Sequence, residues 1–282
     1  MLKIPYYSSY NGEKKIALLD NSAVEFMLQL DNRGHHPDTL LRGYDVVFLP
    51  GWVVEELQDS SFRVKYIERL ADTGIPIRII EEGHYKGLMN GREIFLYDIV
   101  KAAVSKVGDF IKYLHMNVEK DDPFDMGPYE DWIREMYENW PLSGGLTAGG
   151  RERKKNAGEI SLTVLAEIFS WYYLDTESLT VYTQDSDAYD FQRNAEEQLK
   201  KKDNLKDTIP VSVTYRSNDS ILYQMYRDSQ LTIEDVEDIR NDARHVTFTQ
   251  KRADNTVALV SRIVNNEEFI ALIQNDSTQI IF

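Results

Sequence analysis

Short apolar runs recur along this chain, and a helical pattern follows most of them. Residues 15–30, "KIALLDNSAVEFMLQL", read as a buried strand over 16–19 that ends at Asp20. A helix then starts near Ser22, with Asp20 or Asn21 placed to cap it. "YDVVFLPGWVVEELQD" (44–59) repeats the theme: a strand over 46–49, a Pro-Gly turn and a helix. "RVKYIERLADTG" continues as helix to a stop at Gly74, and "IPIRIIEEG" (75–83) supplies another strand. Alternation of this kind predicts βαβ units and a parallel sheet with helices on its faces.

Residues 84–150 break the rhythm. "EIFLYDIVKAAVSKVGDFIKYLHMNV" reads as helix, "EKDDPFDMGPYEDW" as an acidic connection rich in turn residues, and "WPLSGGLTAGGRERKK" as a glycine-rich, flexible exit. The α/β pattern then resumes. Residues 159–173 form a predicted helix, 179–183 a strand followed by an acidic turn and a helix, and "TIPVSVTYRSNDSILYQMYRDSQ" strand, turn and helix. "TIEDVEDIRNDAR" opens with Thr232 three residues before Asp235, the spacing of a capping box. In 245–282, "HVTFTQK", "TVALVSRIV", "EEFIALIQ" and "TQIIF" read as a small antiparallel meander with turns at "ADN" and "NNE". The expected organisation is a core of 1–82 and 151–244, a helical insertion at 83–150, and a β-rich extension at 245–282.

Composition narrows the chemistry. The 282 residues contain no cysteine, so neither a disulfide framework nor thiolate catalysis is available. The first residues lack an apolar signal core, and no apolar stretch approaches the ~20 residues of a membrane helix. A soluble, cytoplasmic protein is expected. The net charge of −15 argues against nucleic acid as partner, yet "RERKK" (151–155) and "KKK" (200–202) are basic islands, and an acidic total also conceals carboxylate metal sites.

Candidate chemistry gathers at strand ends, where open α/β sheets bind ligands. Asp20 closes the first strand, and Asp185 and Asp187 follow the strand ending at Thr183. Glu159 starts the helix leading into that strand, on the same stripe as Leu162, Ala166 and Phe169. Glu56 lies one turn above the Pro-Gly loop. Two carboxylates about 4 Å apart repel by about 4 kcal/mol at an effective dielectric of about 20. Several together call for a cation, and hard oxygen ligands without cysteine favour Mg²⁺ or Mn²⁺. Such an ion would orient and polarise a phosphodiester and supply a hydroxide.

In order and context, "LLDNSAVEFM", "LPGWVVEEL", "NAGEISLTVLA" and "VYTQDSDAYDF" resemble the PIN-domain ribonucleases, including the VapC-type toxins of toxin–antitoxin pairs. The resemblance covers roughly 15–82 and 155–242. It implies a three-layer α/β fold with a mostly parallel central sheet, Mg²⁺ or Mn²⁺ as cofactor and RNA as substrate. It further implies 5′-phosphate products and a role as a toxin or anti-phage defence effector. By residue, it makes Asp20 (followed by Asn21 and Ser22), Glu159 and Asp185 catalytic ligands, with Asp187 a further ligand. Glu56 and Asn21 are accessory, and Thr183 orients a ligand. Arg151, Arg153, Lys154 and Lys155 are candidate phosphate contacts. The chain is about twice as long as the small toxins, and the insertion falls inside the catalytic framework. An inhibitory antitoxin or sensor and self-association are the protein partners to consider.

Each residue also has a plainer reading. Asp20 caps a helix, Glu55 and Glu56 form a solvated face, Glu159 answers the helix dipole, and "DSD" is turn chemistry. His35 and His36 belong to a surface loop, "RERKK" to a solvated charge run, and the aromatics of "WIREMYENW" (132–140) to packing. A TOPRIM-type nuclease would use Glu82–Gly83 with Asp185 and Asp187, leaving Asp20 and Glu159 without a role. A haloacid-dehalogenase-type phosphatase needs an acid where Ser22 stands. A catalytically silent protein-interaction module is the non-enzymatic alternative.

Overall fold

The computed structural model describes residues 2–119, 127–147, 149–252 and 255–282. The first three strands alternate with helices: β1 (Lys15–Leu19), α1 (Asn21–Asn32), β2 (Val46–Pro50), α2 (Gly51–Leu57), α3 (Ser61–Asp72) and β3 (Ile77–Ile80). Next come α4 (Tyr85–Leu88), α5 (Glu93–Ala103), α6 (Gly108–Asn117) and α7 (Tyr129–Glu138). A hairpin of β4 (Ser143–Leu146) and β5 (Glu152–Lys154) leads into α8 (Ala157–Trp171), β6 (Ser178–Tyr182), α9 (Ser186–Leu199) and β7 (Val213–Arg216). The chain finishes with α10 (Asn218–Arg227), α11 (Ile233–Ile239), β8 (Arg244–Lys251), β9 (Val257–Val264) and α12 (Asn266–Gln274).

The five central strands pair in the order β3-β2-β1-β6-β7, all parallel. Strands covered on both faces must be apolar throughout, and Ile16, Ala17, Leu18 and Leu19 are all fully buried. The chain lays down β1, β2 and β3 in one direction, then returns past β1 to place β6. Right-handed crossovers therefore put α1 and α3 on one face and α8 and α9 on the other, in agreement with the α1–α3, α8–α9 and α5–α8 packing. The direction of winding reverses between β1 and β6. The crevice outside the carboxyl ends of the strands at such a point is where open sheets bind ligands.

The insertion is helical, as expected, and docks by its aromatics. Trp52 of α2 stacks on Tyr137 (centroids 4.9 Å apart) and meets Trp140 edge-on at 5.1 Å. Half of the acidic connection, 120–126, lies outside the described residues, and its last four residues, read as connection, open α7. Two expectations are corrected. The glycine-rich exit, read without an element of its own, holds a hairpin: Ser143 pairs with Lys154 and Leu146 with Glu152 in β4–β5. In the C-terminal extension β8 and β9 form as read, whereas "EEFIALIQ" is helix α12 rather than a strand. Asn265 and Glu268 form a full capping box, and Phe269 and Ile273, four residues apart, bury one face. The "ADN" turn includes 253 and 254, outside the described residues, and "NNE" is the start of this helix. Among the described residues no helix is long and apolar enough to cross a membrane.

Candidate functional site

Asp20 stands where β1 ends, six per cent exposed, as N-cap of α1. Its carboxylate accepts from the Asn21 backbone N–H (2.7 Å), the Ser22 hydroxyl (2.5 Å) and the Thr183 hydroxyl (2.8 Å). Asp185, the N-cap of α9, enters through Thr183, whose hydroxyl accepts from the Asp185 N–H at 3.0 Å. The Ser22 hydroxyl accepts from the Gln184 N–H at 3.0 Å. A short hydrogen-bonded bridge thus ties the ends of β1 and β6 across the switch point. The capping reading of Asp20 is correct and coexists with its place in the cluster.

Glu159 arrives from the first turn of α8, every other residue of which is buried. This helix is buried all round rather than on one stripe, and Glu159 opens onto a cleft. Gly158 permits the approach of α2: a Cβ there would sit 3.2 Å from Glu56 Oε1 and 3.4 Å from Val53. The Glu159 carboxyl lies within hydrogen-bonding reach of Asp185. Burial, then the charge of Asp20, push Glu159 up to about 8. Burial and Asp20 likewise raise Glu56 to about 7, against the pull of Arg153 and Arg63. Asp20 itself is raised, chiefly by burial, against its three hydrogen bonds. Mutual perturbation of this kind marks groups that share one electrostatic site.

Asp20, Glu159, Asp185, Glu56, Thr183 and Asn21 are therefore brought together. Asp187 is not: it is exposed and gives its backbone N–H to Asp185 as a capping contact. Among the described residues no side-chain contact ties its carboxylate to the other acids, so its expected place as a further ligand gains no support from this geometry. The TOPRIM pairing loses its geometry, since β2 and β1 separate β3 from β6. Glu82 instead accepts from Trp52 N–H (3.0 Å) and the Ser161 hydroxyl (2.5 Å) inside the protein. His35 and His36 lie on the surface beside a 3₁₀ turn, as read.

The cleft holds about 340 Å³ and is lined by Glu159, Glu56 and Asn21 together with Arg151, Arg153, Lys154 and Lys155, with Glu25, Glu55, Asp59 and Glu152 also among its lining residues. Hairpin β4–β5 carries the four basic residues, the cleft's basic wall. Arg151 pairs with Glu55 (3.3 Å) and Asp59 (2.9 Å), and Arg153 with Asp59 (3.7 Å). Glu55 and Asp59 thus orient the basic wall, a role that sequence reading missed because adjacent acids on a helix resemble a solvated face.

The donors fit a hard divalent cation by chemistry: all are carboxylates, they repel one another, and burial raises the free energy of their charge. Their placement does not already form a ligand cup. Among the described residues, no three Asp, Glu or His side chains stand close enough to hold an ion as they are. Compared with known protein families, curated proteins and solved structures, the chain matches none.

Proposed function

We propose that this protein is a divalent-metal-dependent ribonuclease of toxin or defence type. One observation carries the reading. Carboxylates from three separate segments meet at the switch point of a parallel sheet, beside a cleft with a basic wall. Asp20, Glu159 and Asp185 would hold Mg²⁺ or Mn²⁺, which supplies Lewis-acid polarisation of the scissile phosphate. Thr183 and Ser22 fix the Asp20 carboxylate, and Glu56 accepts or returns a proton near neutrality. Arg153 and Lys155 bind the flanking phosphates. RNA as the polynucleotide rests on the resemblance to PIN domains.

The absence of a preformed three-ligand cup among the described residues favours a second reading, a silent interaction module. Two measurements separate them. With end-labelled single-stranded RNA, Mn²⁺ should produce cleavage with 5′-phosphate ends, and EDTA should stop it. Mn²⁺ without RNA should raise the melting temperature. Ion at about 100 times its dissociation constant adds about 2.7 kcal/mol, a shift of several degrees for a chain of this size. Neither cleavage nor a shift would leave the interaction module standing.

The basic wall gives a smaller effect. Arg153→Ala with Lys155→Ala should raise KM for RNA about tenfold while sparing kcat, since these groups position rather than react. The slope of log affinity against log salt should shrink by about 0.7 for each phosphate that the variant no longer neutralises. An unchanged salt slope would remove both residues from the RNA path.

A further inference from the structure

We infer that the outer edge of β9 is a self-association surface, on which a second copy of this chain pairs its own β9 antiparallel about a two-fold axis. The phase of the β8–β9 hairpin identifies that edge. Arg252 N–H donates to Thr256 O (2.8 Å), and the register pairs Arg244 with Val264 and Lys251 with Val257. Even-numbered residues of β9 therefore turn their backbone groups toward β8, and odd-numbered ones turn theirs away. On β8 the outward groups in the middle of the strand, at Thr247 and Thr249, are bonded to the C-terminal segment. Thr249 N–H donates to Gln279 O (2.8 Å), and Ile281 N–H donates to Thr247 O (2.7 Å). On β9 the outward residues are Val257, Leu259, Ser261 and Ile263. Among the described residues, no backbone–backbone hydrogen bond reaches them from outside the hairpin.

The edge carries none of the usual guards against pairing. It has no lysine, no proline and no bulge at an outward position. Val257, Leu259 and Ile263 are 67%, 68% and 66% exposed, which makes an apolar row along this edge; of its outward carbonyls, that of Ile263 accepts from the Arg262 guanidinium (3.2 Å), a side-chain contact that a pairing strand would displace. By contrast, the chain covers the β3 edge of the main sheet with its own N-terminal segment: Ile79 N–H donates to Pro5 O and Tyr7 N–H to Ile79 O.

A second copy is the occupant that both sequence and charge favour. Antiparallel self-pairing with Val257 opposite Ile263 and Leu259 opposite Ser261 matches all four outward residues, each pair appearing twice, as an isologous contact requires. Charge does not oppose it. Residues 244–282 hold four basic side chains (Arg244, Lys251, Arg252, Arg262) and four acidic ones (Asp254, Glu267, Glu268, Asp276), in a chain whose net charge is −15. The acidic remainder of the molecule would repel its copy, so the neutral extension is the face on which two copies can meet. The unit is also anchored to the core. Arg240, fully buried, bonds to Asp219 (3.1 Å) and to Val264 O (2.9 Å).

The test uses the full chain and does not depend on nuclease activity. Sedimentation of the wild type should give a concentration-dependent species of twice the 32.7 kDa chain mass. Leu259→Lys sets two like charges across the axis and should raise the dissociation constant at least tenfold, about 1.4 kcal/mol. The proposed register makes Val260 its own neighbour across the axis. Because the chain has no cysteine, Val260→Cys should give a covalent dimer on mild oxidation. Val257→Cys, about 20 Å from its copy at 3.4 Å per residue, should not. A wild type monomeric up to its solubility limit would overturn the inference, leaving the edge to another protein. So would a dimer that survives Leu259→Lys, or equal cross-linking at both cysteine positions. Circular dichroism of the lysine variant checks that it folds, and the cysteine pair tests the register independently.

Discussion

Asp20→Asn is expected to reduce Mn²⁺-dependent RNA cleavage by about a thousandfold while leaving the fold in place. An ion held by this carboxylate stabilises charge by several kcal/mol, and a loss of about 4 kcal/mol corresponds to about three decades in rate. The fold should survive because asparagine keeps the capping contact. Its Oδ1 can still accept from the Asn21 N–H, as the Asp20 carboxylate does at 2.7 Å, and asparagine caps helices as well as aspartate does. The substitution also removes a charge that burial and Asp185 both disfavour. Without metal, the melting temperature should hold or rise slightly, whereas the Mn²⁺-induced rise should disappear. That pair of readouts separates a missing ligand from a damaged structure. Cleavage above a tenth of the wild-type rate would take Asp20 out of the mechanism.

What could be read from residues alone follows from how local each signal is. The runs at 16–19 and 46–49 are apolar at every position, and only a strand covered on both faces demands that. Once they are strands in alternation with helices, the acids that close them follow. Asp20 and Asp185 were legible as chemistry because they are legible as strand-end caps. Glu159 was found for a reason the structure amends: its helix is buried on every side rather than along one stripe, and Glu159 is the one residue of it that is not buried. Asp187 looked equivalent to Asp185, but Asp185 is the N-cap of α9 and receives the Asp187 N–H, so the two differ in local role. Helix α12 was misread because "FIALI" suits either periodicity, and the capping box of Asn265 and Glu268 carried the deciding information. The β4–β5 hairpin depends on pairing across a glycine-rich turn and on Glu55 and Asp59, which lie about 90 residues away, and no local pattern announces such contacts.

Stability should fall as pH rises from 6 to 9, by roughly 2–3 kcal/mol for each of two buried carboxyls that are not among the proposed ligands. Glu82 is three per cent exposed and burial pushes it up to about 8, although Trp52 and Ser161 donate to it. Glu167, fully buried in α8, is likewise raised to about 8 by burial, against the weaker pull of the Trp171 indole and of Gln192, which donates to it at 3.2 Å. Between the ordinary value of 4.5 and about 8, the folded state keeps protons that the unfolded chain releases. Raising pH through that window therefore favours unfolding, and the effect levels off above it. The opposite dependence belongs to lower pH. Glu119, held to about 2 by Lys101, Tyr97 and His115 against its burial, contributes stability that is complete above 4.5 and lost as pH falls toward 2. The two windows meet near pH 5, where stability should peak. Urea unfolding in EDTA at pH 5, 7 and 9 measures this directly. Glu167→Gln cannot ionise, so it should lose less stability than the wild type between pH 6 and 9, by roughly 2–3 kcal/mol. Parallel curves for the two proteins would mean that Glu167 is already charged in the folded protein at neutral pH, and that the interior around α8 is more polar than its apolar lining implies.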